Sequence, residues 1–87
     1  MLHHVADADS SLAEELEEGF YVFDFENIVY KTSKGVFLYH NPRVEAGRNI
    51  VHVFVELYPE AEYQSVTKLP LHDVIVPLRE RIKIMTS

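Results

Sequence analysis

Residues 20–40, FYVFDFENIVYKTSKGVFLYH, alternate large apolar side chains between two faces. Tyr21, Phe23 and Phe25 project one way and Phe20, Val22 and Asp24 the other, the period of two that belongs to a β-strand. β-branched and aromatic residues continue through Ile28, Val29 and Tyr30, with Glu26-Asn27 reading as a bulge or bend. Thr32-Ser33-Lys34-Gly35 has the composition of a tight turn and leads into Val36-Phe37-Leu38-Tyr39-His40, so the stretch predicts a hairpin.

Working outward to the C-terminus, Asn41-Pro42 through Arg48-Asn49 lacks apolar alternation and predicts a long exposed loop. Residues 51–58 then read as the strongest strand. Val51, Val53, Val55 and Leu57 face one way, His52, Phe54, Glu56 and Tyr58 the other, and Pro59 ends the run. Tyr63 to Thr67 predicts a weaker strand, Pro70-Leu71-His72-Asp73 a single helical turn, and Val74-Ile75-Val76 a short buried strand stopped by Pro77. Leu78 to Met85 would extend the sheet. Towards the N-terminus, Ser11 with Glu14 forms a capping box, Leu12 and Leu16 share a face, and Gly19 is a stop, predicting a helix of about eight residues. Residues 1–10 show no periodicity and predict a flexible terminus, leaving 11–87 as one small domain.

The expected fold class is α+β: mainly an antiparallel sheet of five or six strands, or a small partly open barrel, with one short N-terminal helix. Short connections favour hairpins over parallel crossovers. The closing elements, a strand, a one-turn helix and a final short strand, are analogous to those of SH3-like barrels, a likeness of fold that carries no role.

Charge is distributed unevenly. Residues 1–30 hold eight acids and no lysine or arginine, whereas residues 31–87 hold eight bases against six acids, giving the net charge of −6. That balance argues against generic binding to nucleic acid or anionic membranes, whose affinity comes from cations displacing counterions. With no cysteine among 87 residues, disulfides, thiolate catalysis and cysteine-based metal centres are excluded. No apolar run approaches the roughly 20 residues a bilayer requires, and the opening Met1-Leu2-His3-His4 lacks the pattern of a secretory signal, so a cytoplasmic location is expected. The small size leaves little room for a pocket beside the only core, so no catalysis and no cofactor are expected.

The expected role is therefore a non-enzymatic protein-interaction module, an inhibitor or regulator docking on a basic, nucleic-acid-binding protein. Asp7, Asp9, Glu14, Glu15, Glu17 and Glu18 form its acidic face. In the expected helix, Glu14 stands at neighbour spacing from Glu17 and Glu18, each like-charge pair costing about 0.2–0.5 kcal/mol. Glu17 and Glu18 would also sit at the negative end of the helix dipole. The competing reading is an ordinary solvated face neutralised by the chain's own Arg79, Arg81 and Lys83. Phe54 and Tyr58 are too aromatic for a purely solvated strand face, which nominates them for partner binding or self-association. Packing of Leu12 and Leu16 over that face would serve equally well.

Four further constellations have residue types that suit binding or catalysis. Arg79, Arg81 and Lys83 recur every second residue, and on a strand they would form a basic stripe able to contact a phosphate backbone beside Tyr63 or Tyr39, or simply guard an edge. His40, His52 and Glu56 are the minimum set for zinc, and His3 near the amino terminus could chelate copper or nickel, but no spacing demands either, and no metal is expected. His72-Asp73 with Ser65 or Thr67 has the residue types of a hydrolytic triad without any geometry to recommend it.

Overall fold

A computed structural model describes residues 2–23, 26–42, 49–66 and 72–86. Strand β1 spans His3–Asp7, helix α1 Ser11–Glu14, β2 Gly19–Phe23, β3 Asn27–Thr32 and β4 Gly35–His40. Helix α2 spans Ile50–Leu57, a 3-10 segment follows at Pro59–Gln64, and α3 spans His72–Thr86. The four strands form one open antiparallel sheet in the order β1-β4-β3-β2. This is a small α+β fold with four strands in place of the expected five or six, and the sheet does not close into a barrel.

The alternation expected in residues 20–40 sets the register. Tyr21 pairs with Val29 and Val29 with Leu38, while Phe20 pairs with Tyr30 and Tyr30 with Phe37. Each row lies on one face. The Ser33-Lys34 turn closes β3 onto β4 with Thr32 opposite Gly35, as the hairpin reading requires. The chain reverses between Phe23 and Asn27 rather than bending at Glu26-Asn27, so what read as one long strand is a second hairpin, β2–β3, with Phe23 opposite Asn27. Phe25 and Asp24 lie outside the described residues.

The stretch expected to lack regular structure contains a strand. His3–Asp7 pairs with β4 as an edge strand, anchored by buried Val5 at an irregularity between His4 and Ala6. The cap also shifts by one residue. Ser10, not Ser11, is the N-cap: its side chain accepts from the Ala13 N–H at 3.1 Å and its hydroxyl donates to the Asp7 carbonyl at 2.7 Å. The helix is a single turn, and Gly19 opens β2 instead of stopping a longer helix.

Both faces of the sheet are buried. On one, Val5, Tyr21, Phe23, Val29, Val36 and Leu38 pack with Ala13 and Leu16 from the α1 region and with Leu78 and Ile82 of α3. On the other, Phe20, Ile28, Tyr30 and Tyr39 pack with Ile50 and Phe54 of α2 and Ala61 of the 3-10 segment. A sheet apolar on both sides needs two covers, and the helices supply them.

That requirement explains the expectations that fail. Residues 51–58 have strand-like composition, yet Ile50 and Phe54 are the buried positions, four apart as on one helix face. Asn49 caps this helix, its side-chain oxygen accepting from the His52 N–H at 2.9 Å. Residues 74–85 likewise belong to α3, with Leu78 and Ile82 on its inner face, and the helix continues through Pro77 without that residue's N–H. The expected strand at Tyr63 to Thr67 is replaced by the end of the 3-10 segment, with Thr67 outside the described residues. Of the expected helical turn, Pro70 and Leu71 lie outside them too. Val66 N–H donates to the Phe20 carbonyl at 3.3 Å, and Gly19, at φ +142°, permits the approach, since a Cβ there would fall on the Gln64 carbonyl oxygen.

The helical assignment of residues 50–57 makes a sharp prediction for urea denaturation. Phe54→Ala should cost about 3–5 kcal/mol, and Leu57→Ala, at an exposed position, should stay within about 0.5 kcal/mol. Comparable losses at the two sites would contradict the helix.

Candidate functional site

The six acidic residues nominated above fall on one short piece of chain. Asp7 ends β1, Asp9 lies in the turn that follows, Glu14 closes α1, and Glu15, Glu17 and Glu18 lie between α1 and β2. All six are exposed. Because α1 ends at Glu14, the helical repulsions and the dipole cost expected for Glu17 and Glu18 do not arise. Asp7 Oδ1 lies 3.1 Å from His4 Nε2. Among the described residues no lysine or arginine forms an ion pair with any of the six.

The two aromatic candidates separate. Phe54 is fully buried, with its ring 5.2–5.5 Å from those of Phe20, Tyr30, Tyr39 and Tyr58, so it is the centre of a core and offers no surface to a partner or to a second copy. Leu12 and Leu16 do not cover it, because they pack on the opposite face of the sheet. Tyr58 is half-buried and remains accessible at the end of α2.

The basic stripe dissolves in the helix. Arg79 and Lys83, four residues apart, line a groove of about 480 Å³ with Phe23, Asn27 and Glu80, whereas Arg81 does not line it. The Arg79 guanidinium lies over the Phe23 ring at 4.9 Å, and buried Asn27 meets His40 through an Oδ1–Nδ1 contact of 2.7 Å. His40 is thereby engaged at the end of β4, while His52 and Glu56 are exposed on α2. Among the described residues no group of three histidine or acidic side chains is placed to hold a metal. Of the hydrolytic set, Thr67 and the side chains of His72 and Asp73 lie outside what the structure describes, and Ser65 is exposed.

A second groove, of about 380 Å³, assembles residues distant in sequence. Its lining includes Glu18 and Glu60 together with Leu2, Tyr30, Phe37 and Tyr58. Two of the nominated residues, Glu18 and Tyr58, thus meet. Sequence reasoning missed Tyr30 and Glu60. Tyr30 carries the pattern of a core aromatic, and Glu60 reaches the groove because the 3-10 segment folds back against β2.

The tyrosine hydroxyls differ in how they are satisfied. Tyr21 donates to the Glu17 carbonyl at 2.8 Å, and the Tyr39 hydroxyl accepts from Asn41 Nδ2 at 3.3 Å. Tyr30 is 4% exposed, and its hydroxyl makes no hydrogen bond among the described residues. Burial pushes the Tyr30 phenol above its ordinary value of 10.0, and the negative charges of Glu60 and Glu18 push the same way. Burial also raises Tyr21.

No protein-family model, curated protein or solved structure shows a significant match to this chain. Among the described residues no helix is long and apolar enough to cross a membrane.

The raised phenols have a measurable consequence. Above about pH 10 the unfolded chain releases these protons before the folded one does, so stability present below the unfolded-state value is lost as pH rises through the folded-state value. The urea midpoint should fall as pH rises above about 10, and Tyr30→Phe should flatten that fall. Equal slopes for the two proteins would contradict the assignment.

Proposed function

We propose that this chain is a non-enzymatic interaction module, an inhibitor or regulator, that docks the segment Asp7 to Glu18 on a basic, nucleic-acid-binding protein surface. The observation that carries the reading is the exposure of Asp7, Asp9, Glu14, Glu15, Glu17 and Glu18 without a lysine or arginine partner among the described residues. Exposed ion pairs stabilise a fold by only about 0–1 kcal/mol, so leaving these carboxylates unpaired costs little and keeps them for an incoming cation. Their charges act together on a partner's approach, which raises association rates and makes binding sensitive to salt. Tyr58, half-buried beside Glu18 in the second groove, adds an aromatic contact of the kind enriched at interface centres.

The rival nucleic-acid reading loses its geometric basis, since Arg79 and Lys83 share a helix face that does not hold Arg81, and Glu80 and Glu26 line the same groove. With a net charge of −6, those cations would have to act against the field of the whole chain.

The test is charge reversal. Glu14→Lys with Glu17→Lys should abolish capture of a basic protein partner at about 50 mM salt, while the thermal midpoint stays level or rises, because neither carboxylate has an ion-pair partner among the described residues. Binding that survives both substitutions, or that does not weaken as salt increases, would reject the proposal.

A further inference from the structure

We infer that the groove between Glu18 and Glu60 receives a single arginine side chain from the protein partner, with Tyr30 as the hydrogen-bonding residue at its base. This rests on the reading of the chain as a module for basic proteins and specifies what one point of that contact must be.

The Tyr30 side chain is 4% exposed and lines the groove, and its hydroxyl has no hydrogen-bond partner among the described residues. A groove-lining hydroxyl with no partner in the protein is left for solvent or for a ligand group that replaces it. Tyr30 lines the groove together with Glu18 and Glu60, and the negative charges of both carboxylates act on its phenol. An anionic ligand would meet two carboxylates there. A cation would meet two acceptors, a phenol oxygen with free lone pairs, and the aromatic walls of Phe37 and Tyr58.

Among cations, guanidinium matches this set. It is planar, presents five donors, stacks on aromatic faces and pairs with carboxylates through two parallel bonds, whereas an ammonium is a compact, strongly hydrated point charge. The volume of about 380 Å³ accommodates one long side chain with its head group. Lys34, on the β3–β4 turn, also lines the groove and keeps its charge deficit to a single net negative, which suits one incoming cation.

The probes are hexa-arginine and hexa-lysine peptides titrated into the full chain by calorimetry at about 50 mM salt. Hexa-arginine should bind several-fold more tightly than hexa-lysine. Tyr30→Phe, which keeps the ring and removes the unpartnered hydroxyl, should weaken hexa-arginine binding about fivefold, the worth of one hydrogen bond. Its thermal midpoint should stay level or rise, a combination that a purely structural tyrosine would not produce. Glu18→Gln with Glu60→Gln should weaken binding tenfold or more. Equal affinity for the two peptides, or unchanged hexa-arginine affinity in these groove variants, would overturn the inference. If Glu14→Lys with Glu17→Lys still abolishes capture of the basic protein in that event, the docking reading stands and only the groove assignment falls.

Discussion

A four-stranded sheet that is apolar on both faces cannot stand alone in water, and the arrangement of this chain follows from that constraint. Tyr21, Val29 and Leu38 fill one face while Phe20, Ile28, Tyr30 and Tyr39 fill the other, so the 87 residues must provide two covering layers as well as the sheet. Helix α3 covers the first with Leu78 and Ile82. Helix α2 and the 3-10 segment cover the second with Ile50, Phe54 and Ala61. Phe54 contributes most to that second layer, since four aromatic rings surround it and such pairs add about 0.5–1.5 kcal/mol each beyond burial.

The same constraint shapes the surface. Covering the second face brings the 3-10 segment back against β2, which sets Glu60 near Glu18 and encloses Tyr30 under both. The groove is thus a by-product of how the layers meet. Its lining is polar, with the Tyr30 hydroxyl free of a protein partner among the described residues and two exposed carboxylates, Glu18 and Glu60. The acidic segment from Asp7 to Glu18 adjoins it through Glu18, so the groove and the charged surface form one continuous interface in the proposed role.

What could be read from sequence tracks how local the physics is. Alternation in residues 20–23 and 28–30, the turn at Ser33-Lys34 and the exposure of the acidic residues depend on neighbours and were legible. Residues 51–58 were not, because Val51, Val53 and Val55 carry high strand propensity while the burial of Phe54 against the sheet decides for helix, a tertiary override of local preference. Asn49 was the available signal, a capping residue immediately before the run. A second signal lay in the strands themselves. GFYVF and GVFLYH place apolar residues on both faces, and two-sided burial implies helical cover that a sheet of five or six strands would not provide. The groove was illegible for a different reason, since Glu18, Tyr30, Tyr58 and Glu60 become neighbours only through the long-range fold.

The sheet is sandwiched, with residues 50–57 lying across it as a helix. Backbone chemical shifts of the full chain, together with contacts between ring protons, test it most directly. Helical Cα shifts from Ile50 to Leu57, with the Phe54 ring close to those of Phe20, Tyr30 and Tyr39, are the result predicted. Extended shifts over the same residues, with cross-strand contacts linking them to β2 or β1, would contradict it.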